Sequence, residues 1–328
     1  MAATSSDPLE RLEAMLVAGR RPPTRRMLII VNPYATTVSD RLKNLVVYAL
    51  RGSYEVDAID TEARQHATEL TREAARAGYD VVVAFGGDGT VNEAANGLAG
   101  TDTPLTCLPG GRANVYCRLL GIPTDVVDAT EHLLGLADDW RPRRVDVGVV
   151  NDRRFVFSAG LGLDASVVER VDAHPRLKAR MGEWYYTWTG VNTFNRRYLV
   201  NPPQLEAQLG EESVQGITAI VQNADPYTYF GNRPVHMGEG ATLESGDLAG
   251  IVLRRARPID IPTITWRALA ARARLVRHRH VHGFSGVDSL RVRSLDGRAL
   301  PLQVDGDYIG EVQEAVFGVE PHGMSVVS

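Results

Sequence analysis

The sequence predicts an α/β fold of two domains, an N-terminal doubly wound parallel sheet and a C-terminal antiparallel, sandwich-like domain. In the first half, short apolar runs alternate with amphipathic stretches of about 10–15 residues, which is typical of βαβ units. From about Arg143 the predicted strands follow one another mainly through turns. A chain of 328 residues is long enough for two hydrophobic cores.

The first half contains four predicted strands that alternate with helices. We expect strands at 27–31, 54–59, 81–85 and 105–108, and helices at 39–50, 63–77, 91–98 and up to about Ala137. The strands are short and mostly apolar, as buried parallel strands are. Connections between parallel strands are right-handed, so an open, doubly wound sheet is the simplest arrangement.

The second half contains eight predicted strands and two helices. We expect strands at 145–150, 154–159, 203–209, 215–222, 248–254, 287–293, 300–304 and 314–319, and helices near 179–198 and 262–277. The predicted organisation is an N-terminal extension (1–26), an α/β domain (27–141) and a mainly β domain (142–328), with the last strand free to return to the first domain.

Composition excludes several classes of protein. Lys and Arg number 36 against 40 Asp and Glu, a net charge of -4, so we expect no nucleic-acid partner. No apolar run is long enough to span a bilayer, and charged residues at 10, 11 and 13 interrupt the N-terminal segment, unlike a signal peptide. We therefore expect a cytoplasmic protein. Cys107 and Cys117 provide neither a disulfide framework nor zinc-ligand spacing.

The segment Gly86-Gly87-Asp88-Gly89-Thr90 joins the third predicted strand to the next helix. Glycines at a strand end let the backbone approach a ligand and point several N–H groups at one anion. Thr90 is expected to cap the helix and to bond a phosphate oxygen. Asp88 would act through Mg²⁺ or accept a proton from an attacking hydroxyl. The alternative is a turn that merely joins strand to helix.

A second glycine-rich turn, residues 109–114, follows the fourth predicted strand. Two such turns at neighbouring strand ends mark the ligand-binding edge of an open α/β sheet. Asn32 closes the first strand and Thr61 follows the second, so four loops would meet at this edge. The chain has no Gly-Lys-Ser/Thr loop and no protein-kinase motif, so a phosphate site here needs this different cradle.

Near the C-terminus, Asp305-Gly306-Asp307 follows the predicted strand 300–304. The turn presents two carboxylates. Taken alone it favours a plain hairpin, because Asp-Gly is a strong turn signal.

Together these segments resemble the catalytic domain of diacylglycerol kinases and sphingosine kinases, in its bacterial, soluble branch. Residues 86–98, Gly-Gly-Asp-Gly-Thr-Val-Asn-Glu-Ala-Ala-Asn-Gly-Leu, are similar to that family's nucleotide-binding signature. The other loops match in order and spacing over roughly residues 27–327: Asn32-Pro33, Thr61 with His66-Ala67, Gly110–Asn114 and Asp305–Asp307.

The resemblance implies a lipid kinase whose N-terminal domain is like those of phosphofructokinases and NAD kinases. It implies ATP and Mg²⁺ as cofactors, ATP in a cleft between the domains, and a lipid acceptor at the membrane surface. Diacylglycerol is the first choice of acceptor, and a sphingoid base or related lipid the second. The implied catalytic residues are Asp88, the general base, with Asp305 and Asp307; Asp88 and Asp305 would lie near the metal. The implied nucleotide site comprises Asn32, Thr61, Gly86, Gly87, Asp88, Gly89, Thr90, Glu93, Gly110, Gly111, Arg112 and Asn114.

The chain departs from the family pattern at several positions. Arg112 replaces a small hydroxyl residue, Val115 stands where many relatives have Asp or Ala, and Asp307 stands in place of Glu. The segment 245–249 lacks most of the carboxylates that hold a structural metal in bacterial relatives, so we do not expect that metal site.

Two further segments suggest contacts with the lipid or the nucleotide. The basic stretch 266–282 predicts an amphipathic helix that docks on an anionic membrane through Arg267–Arg279; a solvated face over a core stripe is the alternative. The aromatic helix 179–198 would line an acyl-chain pocket or pack against the sheet. Just before or at its start, Arg176, Lys178 and Arg180 are candidate triphosphate contacts.

Two other functions remain open. A kinase acting on NAD or a sugar phosphate would share the Gly-Gly-Asp-Gly turn, but we do not expect it to combine the continuation through Gly97 with the C-terminal Asp-Gly-acid turn. A nucleotide- or lipid-binding regulator without catalysis is the second alternative, because Arg112, Val115 and Asp307 are altered. No oligomeric state is predicted.

Overall fold

The computed structural model describes residues 25–172, 202–255, 257–270 and 273–328. The N-terminal extension up to residue 24, the aromatic helix 179–198 and the candidate contacts Arg176, Lys178 and Arg180 lie outside the described residues. The chain divides into two compact units. One comprises Met1–Arg144 with Met324–Ser328, and the other comprises Val145–Gly323.

The first unit contains a parallel sheet and five described helices. The strands are β1 (Arg26–Val31), β2 (Glu55–Asp60), β3 (Val81–Gly86) and β4 (Leu105–Pro109). The helices are α1 (Asp40–Leu50), α2 (His66–Arg76), α3 (Asp88–Leu98), α4 (Val115–Leu119) and α5 (Val126–Leu136). The strand order is β2-β1-β3-β4, and Val326 pairs in parallel with Leu105.

Local chemistry explains where several of these elements begin. The Ser39 hydroxyl accepts the Leu42 N–H (3.3 Å) and caps α1, and Asp125 accepts the Val127 N–H (2.9 Å) and caps α5. The central strand β3 is buried at every position, whereas β2 lies at the edge and exposes most of its residues. Apolar burial therefore holds β1, β3 and β4 at the centre of this unit.

The second unit is built from antiparallel strands. Its strands are β5 (Arg143–Val150, beginning in the first unit), β6 (Arg153–Phe155), β7 (Ser158–Gly162), β8 (Leu205–Leu209), β9 (Glu212–Gly216), β10 (Thr218–Gln222), β11 (Thr228–Phe230), β12 (Arg233–Val235), β13 (Leu248–Leu253), β14 (Val281–Val287), β15 (Ser289–Ser294), β16 (Leu300–Val304), β17 (Asp307–Val312) and β18 (Glu314–Val326). Its described helices are α6 (Leu163–Asp172), α7 (Ile261–Leu269) and a 3₁₀ turn at Leu275–Arg277.

Two strand layers enclose the core of this unit. One layer has the order β14-β13-β10-β7-β16-β17, and the other includes β18-β15-β8-β9. Leu161 and Leu302 from the first layer pack in one cluster with Leu205, Val292 and Phe317 from the second. The predicted fold class, a parallel α/β domain followed by an antiparallel sandwich-like domain, is confirmed. No helix in the described part of the chain is long and apolar enough to cross a membrane.

The prediction of one helix over 262–277 is wrong. Helix α7 ends at Leu269, and Ala270 turns to an extended conformation (ψ 116°). The carbonyl of Ala268 accepts the His236 N–H (3.3 Å), although an uninterrupted helix would use that carbonyl itself. Leu275 is buried in a separate 3₁₀ turn. Tertiary contacts thus override the helical spacing of the apolar residues in this stretch.

Several strand predictions also need correction. The predicted strand 154–159 is divided between β6 and β7, and the predicted strand 215–222 is interrupted at Ile217, between β9 and β10. The segment 281–287, which includes His282, forms the edge strand β14. Strands this short carry little periodic signal, so their ends are set by pairing with distant residues.

Candidate functional site

The parallel sheet has a topological switch point between β1 and β3. The chain leaves β1 toward β2 on one side, and β3 lies on the other side of β1. Asn32 follows β1 at this point, and its N–H donates to the carbonyl of Phe85 (2.9 Å). Open α/β sheets bind ligands at the carboxyl ends of strands beside such a point.

The two glycine-rich turns approach each other here at backbone distance. The N–H of Gly110 donates to the carbonyl of Gly86 (2.8 Å). A Cβ atom on Gly111 would lie 2.8 Å from the Cα of Gly87, and a Cβ on Gly110 equally close to the Cα of Gly86. Positions 110 and 111 therefore require glycine for the turns to meet.

Gly87 differs from those glycines. Its φ of −87° is one that any residue adopts, and an added Cβ would meet its nearest neighbour, the Gly111 Cα, at an ordinary 3.5 Å. No crowding among the described residues therefore requires glycine at this position. The missing side chain leaves space in which a ligand can approach the backbone.

Helix α3 begins directly in the first turn, at Asp88, with Gly87 as its N-cap. The prediction that Thr90 caps this helix is wrong, because the helix starts earlier and Thr90 lies inside its first turn. Thr90 is 7% exposed, and its hydroxyl accepts a hydrogen bond from Asn32 Nδ2 (3.2 Å). The first amides of the helix, including that of Gly89, have no partner within the helix and lie at its positive end.

The carboxylate of Asp88 joins the two turns. Its Oδ1 accepts the N–H of Tyr116 (3.1 Å), and the N–H of Val115 also bonds this carboxylate, so Asp88 caps α4 from outside that helix. Burial raises the pKa of the Asp88 carboxyl, while these two N–H groups and the Arg118 guanidinium partly lower it. A carboxyl with a raised pKa is a better proton acceptor than a surface carboxylate.

Asn114 closes the second turn with its own side chain. Its Oδ1 accepts the Gly111 N–H and its Nδ2 donates to the Gly111 carbonyl, both at 2.9 Å. Asn114 has a φ of 44°, in the left-handed region that asparagine tolerates best after glycine. Arg112 is exposed on this turn.

Glu93 and Gly97 hold α3 against α2. The Glu93 carboxylate accepts the N–H groups of Gln65 (2.9 Å) and Ala67 (3.3 Å), at the start of α2. A Cβ on Gly97 would overlap the Thr71 hydroxyl, so the helices cross closely there. These contacts explain physically why the sequence signature continues past the glycine turn. Thr61, after the edge strand β2, is half-buried.

In the second unit, Asp305 and Gly306 form the hairpin between β16 and β17. Both have positive φ (48° and 84°), as a type I′ turn requires, and Val304 pairs with Asp307. The Asp305 side chain is 3% exposed and accepts three consecutive backbone N–H groups, from Val156 (2.8 Å), Phe157 (3.0 Å) and Ser158 (3.0 Å). Asp307 is half-buried at the start of β17.

The described residues include a polar pair that the sequence analysis missed. His236 Nδ1 lies 2.7 Å from Asp225 Oδ2 in the second unit, and burial raises the pKa of Asp225. No motif connects two residues eleven positions apart across a short hairpin, so sequence spacing gave no signal. In the part of the chain that is described, no group of three His, Cys, Asp or Glu side chains is arranged to hold a metal ion.

Comparison with known proteins agrees with this architecture. Residues 26–150 match the diacylglycerol kinase catalytic domain. Diacylglycerol kinase of Staphylococcus saprophyticus is 26% identical over 302 residues, covering 91% of this chain and 94% of its own length. Diacylglycerol kinase of Bacillus subtilis (strain 168) is 26% identical over 294 residues, with coverages of 87% and 91%.

Solved structures support the same fold. A crystal structure of a diacylglycerol kinase from Bacillus anthracis strain Sterne has a TM-score of 0.65 at 17% identity, and covers 94% of this chain and 98% of that one. A second structure from the same strain has a TM-score of 0.72 at 21% identity, with the same coverages. At these identities the likeness is one of fold.

Proposed function

From the premise that residues 26–150 belong to the diacylglycerol kinase catalytic domain family, whose members are lipid kinases, we propose that this chain transfers a phosphoryl group from ATP to a lipid hydroxyl. Diacylglycerol is the proposed acceptor. The observation that carries the proposal is the backbone at Gly87, where two glycine turns meet beside the switch point of the sheet and no crowding among the described residues requires glycine.

The residues at this edge suit triphosphate binding. The N–H groups at the start of α3 and the exposed Arg112 are donors for phosphate oxygens. Asn32 and Asn114 hold their turns through hydrogen bonds, so the donors are positioned before the nucleotide arrives. Such positioning is the main demand that phosphoryl transfer makes on a protein.

Asp88 is the proposed proton acceptor for the lipid hydroxyl. Its raised pKa fits that role, and its bond to the Tyr116 N–H fixes the carboxylate in place. The Asp88 carboxylate is an oxygen donor of the kind that Mg²⁺ prefers. The Asp305 carboxylate, which the sequence analysis expected near the metal, is instead engaged by three backbone N–H groups of its own unit. Bound Mg²⁺ supplies charge neutralisation on the phosphate oxygens. In the second unit, Asp307 is the proposed catalytic carboxylate.

A direct assay tests this function. Purified protein is incubated with γ-labelled ATP and, separately, diacylglycerol micelles, a sphingoid base, NAD and fructose phosphate. We expect label in phosphatidic acid, and Gly87→Val as the control should give none. Label in NAD or in the sugar would assign a different kinase. Tight ATP binding without any labelled product, even from a total lipid extract, would favour the non-catalytic regulator.

A further inference from the structure

Helix α7 and the turn just before it carry apolar side chains on two sides. Ile264, Ala268 and Leu269 pack into a core cluster of the second unit. On the other side, Ile259 is 78% exposed and Trp266 is 61% exposed. Seven residues separate these two, close to two full turns, and Asp260 between them already has helical angles (φ −86°, ψ −22°), so both project from nearly the same side.

Two segments of the second unit meet beside this helix. The Arg267 guanidinium donates to the carbonyl of Arg274 (3.1 Å), and Arg279 pairs with the buried Asp260 (2.7 Å). The N–H of Arg254 donates to the carbonyl of His280 (2.9 Å). Residues 254–255 and 257–260, α7 and residues 274–280 therefore form one corner of the second unit, called here the arginine corner.

The arginine corner is strongly positive. Its described residues include seven arginines and a single acidic residue, Asp260. Arg279 is neutralised by Asp260, and Arg274 pairs with Glu239 (3.1 Å). Arg255, Arg257 and Arg277 are exposed and take part in neither of these pairs.

We infer that the arginine corner is the surface that docks on an anionic bilayer, with Ile259 and Trp266 inserted at the headgroup level. Exposed large apolar side chains on the same corner as exposed arginines that form no ion pair with a described acidic residue complement a surface that is anionic outside and apolar just beneath. This inference rests on the proposed function, because a kinase without a membrane-spanning helix among its described residues must meet its lipid at the bilayer surface. The inferred docking surface therefore differs from the continuous basic helix 262–277 predicted from the sequence, because it also includes residues that precede α7.

Vesicle sedimentation without nucleotide tests the surface independently of catalysis. One variant is Arg255→Glu/Arg257→Glu/Arg277→Glu, and a second is Ile259→Ser/Trp266→Ser. The matched controls are Arg72→Glu, on an exposed face of α2, and Leu295→Ser, which is 38% exposed elsewhere in the second unit. The vesicles contain phosphatidylglycerol mixed with phosphatidylcholine, or phosphatidylcholine alone.

We expect wild type to bind the anionic vesicles and to be released by salt. The partition coefficient of the triple arginine variant onto anionic vesicles should be about a hundredfold lower than that of wild type. The difference between the two proteins should decrease at high salt. The Ile259/Trp266 variant should lose about tenfold at every salt concentration. Both controls should bind like wild type.

Equal binding of all variants would overturn the inference, and so would binding of wild type to neither vesicle. A wild-type dimer that Ile259→Ser/Trp266→Ser dissociates would assign the surface to a second copy of the chain instead. Because vesicle binding is measured without turnover, the result can contradict the docking surface without contradicting lipid phosphorylation. A failed kinase assay, likewise, would leave the vesicle-binding result unchanged.

Discussion

Asp88 in the first unit and Asp305 in the second both use a carboxylate to hold backbone N–H groups, yet their surroundings differ. The three donors to Asp305 are consecutive residues between the end of β6 and the start of β7, and Asp305 is almost fully buried. The donors to Asp88 come from the start of a helix beyond a neighbouring strand, at an edge where the glycine turns leave space.

The comparison distinguishes a carboxylate with a structural role, Asp305, from a carboxylate placed at the ligand-binding edge, Asp88. Asp305 satisfies a loop that would otherwise bury three unpaired donors, so its removal should damage stability first. Asp88 lies at the ligand edge with a raised pKa, so its ionised form costs the folded state free energy. A residue that costs stability where a ligand can bind is a good candidate for chemistry.

The largest expected effect comes from Asp88→Asn. Loss of a positioned proton acceptor should lower turnover by about 10²–10⁴-fold. The variant should be at least as stable as wild type at neutral pH, because it removes a buried charge. Lipid phosphorylation and urea unfolding are the measurements. More than a third of wild-type activity in the purified variant would contradict the general-base role.

The pH dependence of stability, compared between wild type and Asp88→Asn, tests whether the buried Asp88 carboxylate destabilises the folded state. A folded-state pKa raised above the unfolded one gives a contribution to stability that is present below the unfolded pKa and lost as pH rises through the folded pKa. As pH rises from below the unfolded pKa of Asp88 through its folded pKa, the free energy of unfolding of wild type should therefore fall relative to that of Asp88→Asn. A constant difference between the two across this range would show that burial of Asp88 carries no such cost.

Next in size is the effect of a side chain at Gly87. Gly87→Val should lower nucleotide affinity at least a hundredfold by filling the space at the turn, while the fold tolerates it because the backbone there is extended. Gly111→Ala is the matched comparison, since its Cβ would meet the Gly87 Cα at 2.8 Å and force the turns apart. Calorimetry and urea unfolding should show affinity loss alone for the first, and loss of both affinity and stability for the second. Unchanged affinity in Gly87→Val would place the nucleotide elsewhere.

Sequence reasoning located these turns well, and the reason is physical. In a parallel sheet the carboxyl ends of strands share one edge, so the local signals at Asn32, Gly86 and Gly110 were enough to bring distant loops together. The Asp-Gly hairpin at 305–306 was equally local. Secondary structure with a local cause was therefore predictable.

The partners of the carboxylates were not predictable. The N–H groups that Asp88, Glu93 and Asp305 hold have no residue-type signal, because every residue except proline carries one. The prediction of one helix over 262–277 was wrong for a related reason, because contacts of Ala268 and Leu275 with distant residues determine where the helix ends. Long-range pairing of this kind is visible only in the folded chain.

A smaller effect is expected on stability, where substitution of Asp305 should differ from substitution of Asp307 in the same hairpin. Asp305→Asn keeps one acceptor oxygen but turns an NH₂ group toward backbone donors, so the free energy of unfolding should fall by about 2–4 kcal/mol. Asparagine tolerates the positive φ of this position, so backbone strain does not confuse the result. Asp307→Asn should stay within about 0.5 kcal/mol of wild type while losing turnover. Equal stability of the two variants in urea would refute a structural role for Asp305.

The smallest expected effect concerns Tyr54, a buried residue of the first unit far in sequence from both carboxylates. Its hydroxyl donates to the Leu133 carbonyl (2.7 Å), and burial raises its pKa from 10.0 to about 12. Its contribution to stability is therefore complete below pH 10 and declines as pH rises from 10 toward 12, by about 1 kcal/mol at pH 11. Tyr54→Phe should be about 1 kcal/mol less stable than wild type at pH 7, because the carbonyl loses its donor, and the two should converge near pH 11. Tyr34→Phe, at a residue that is 85% exposed, is the control and should change neither value. If the gap between Tyr54→Phe and wild type stays constant up to pH 11, the Tyr54 phenol is not held neutral by burial, and the core beside α5 is more open to water than its packing indicates.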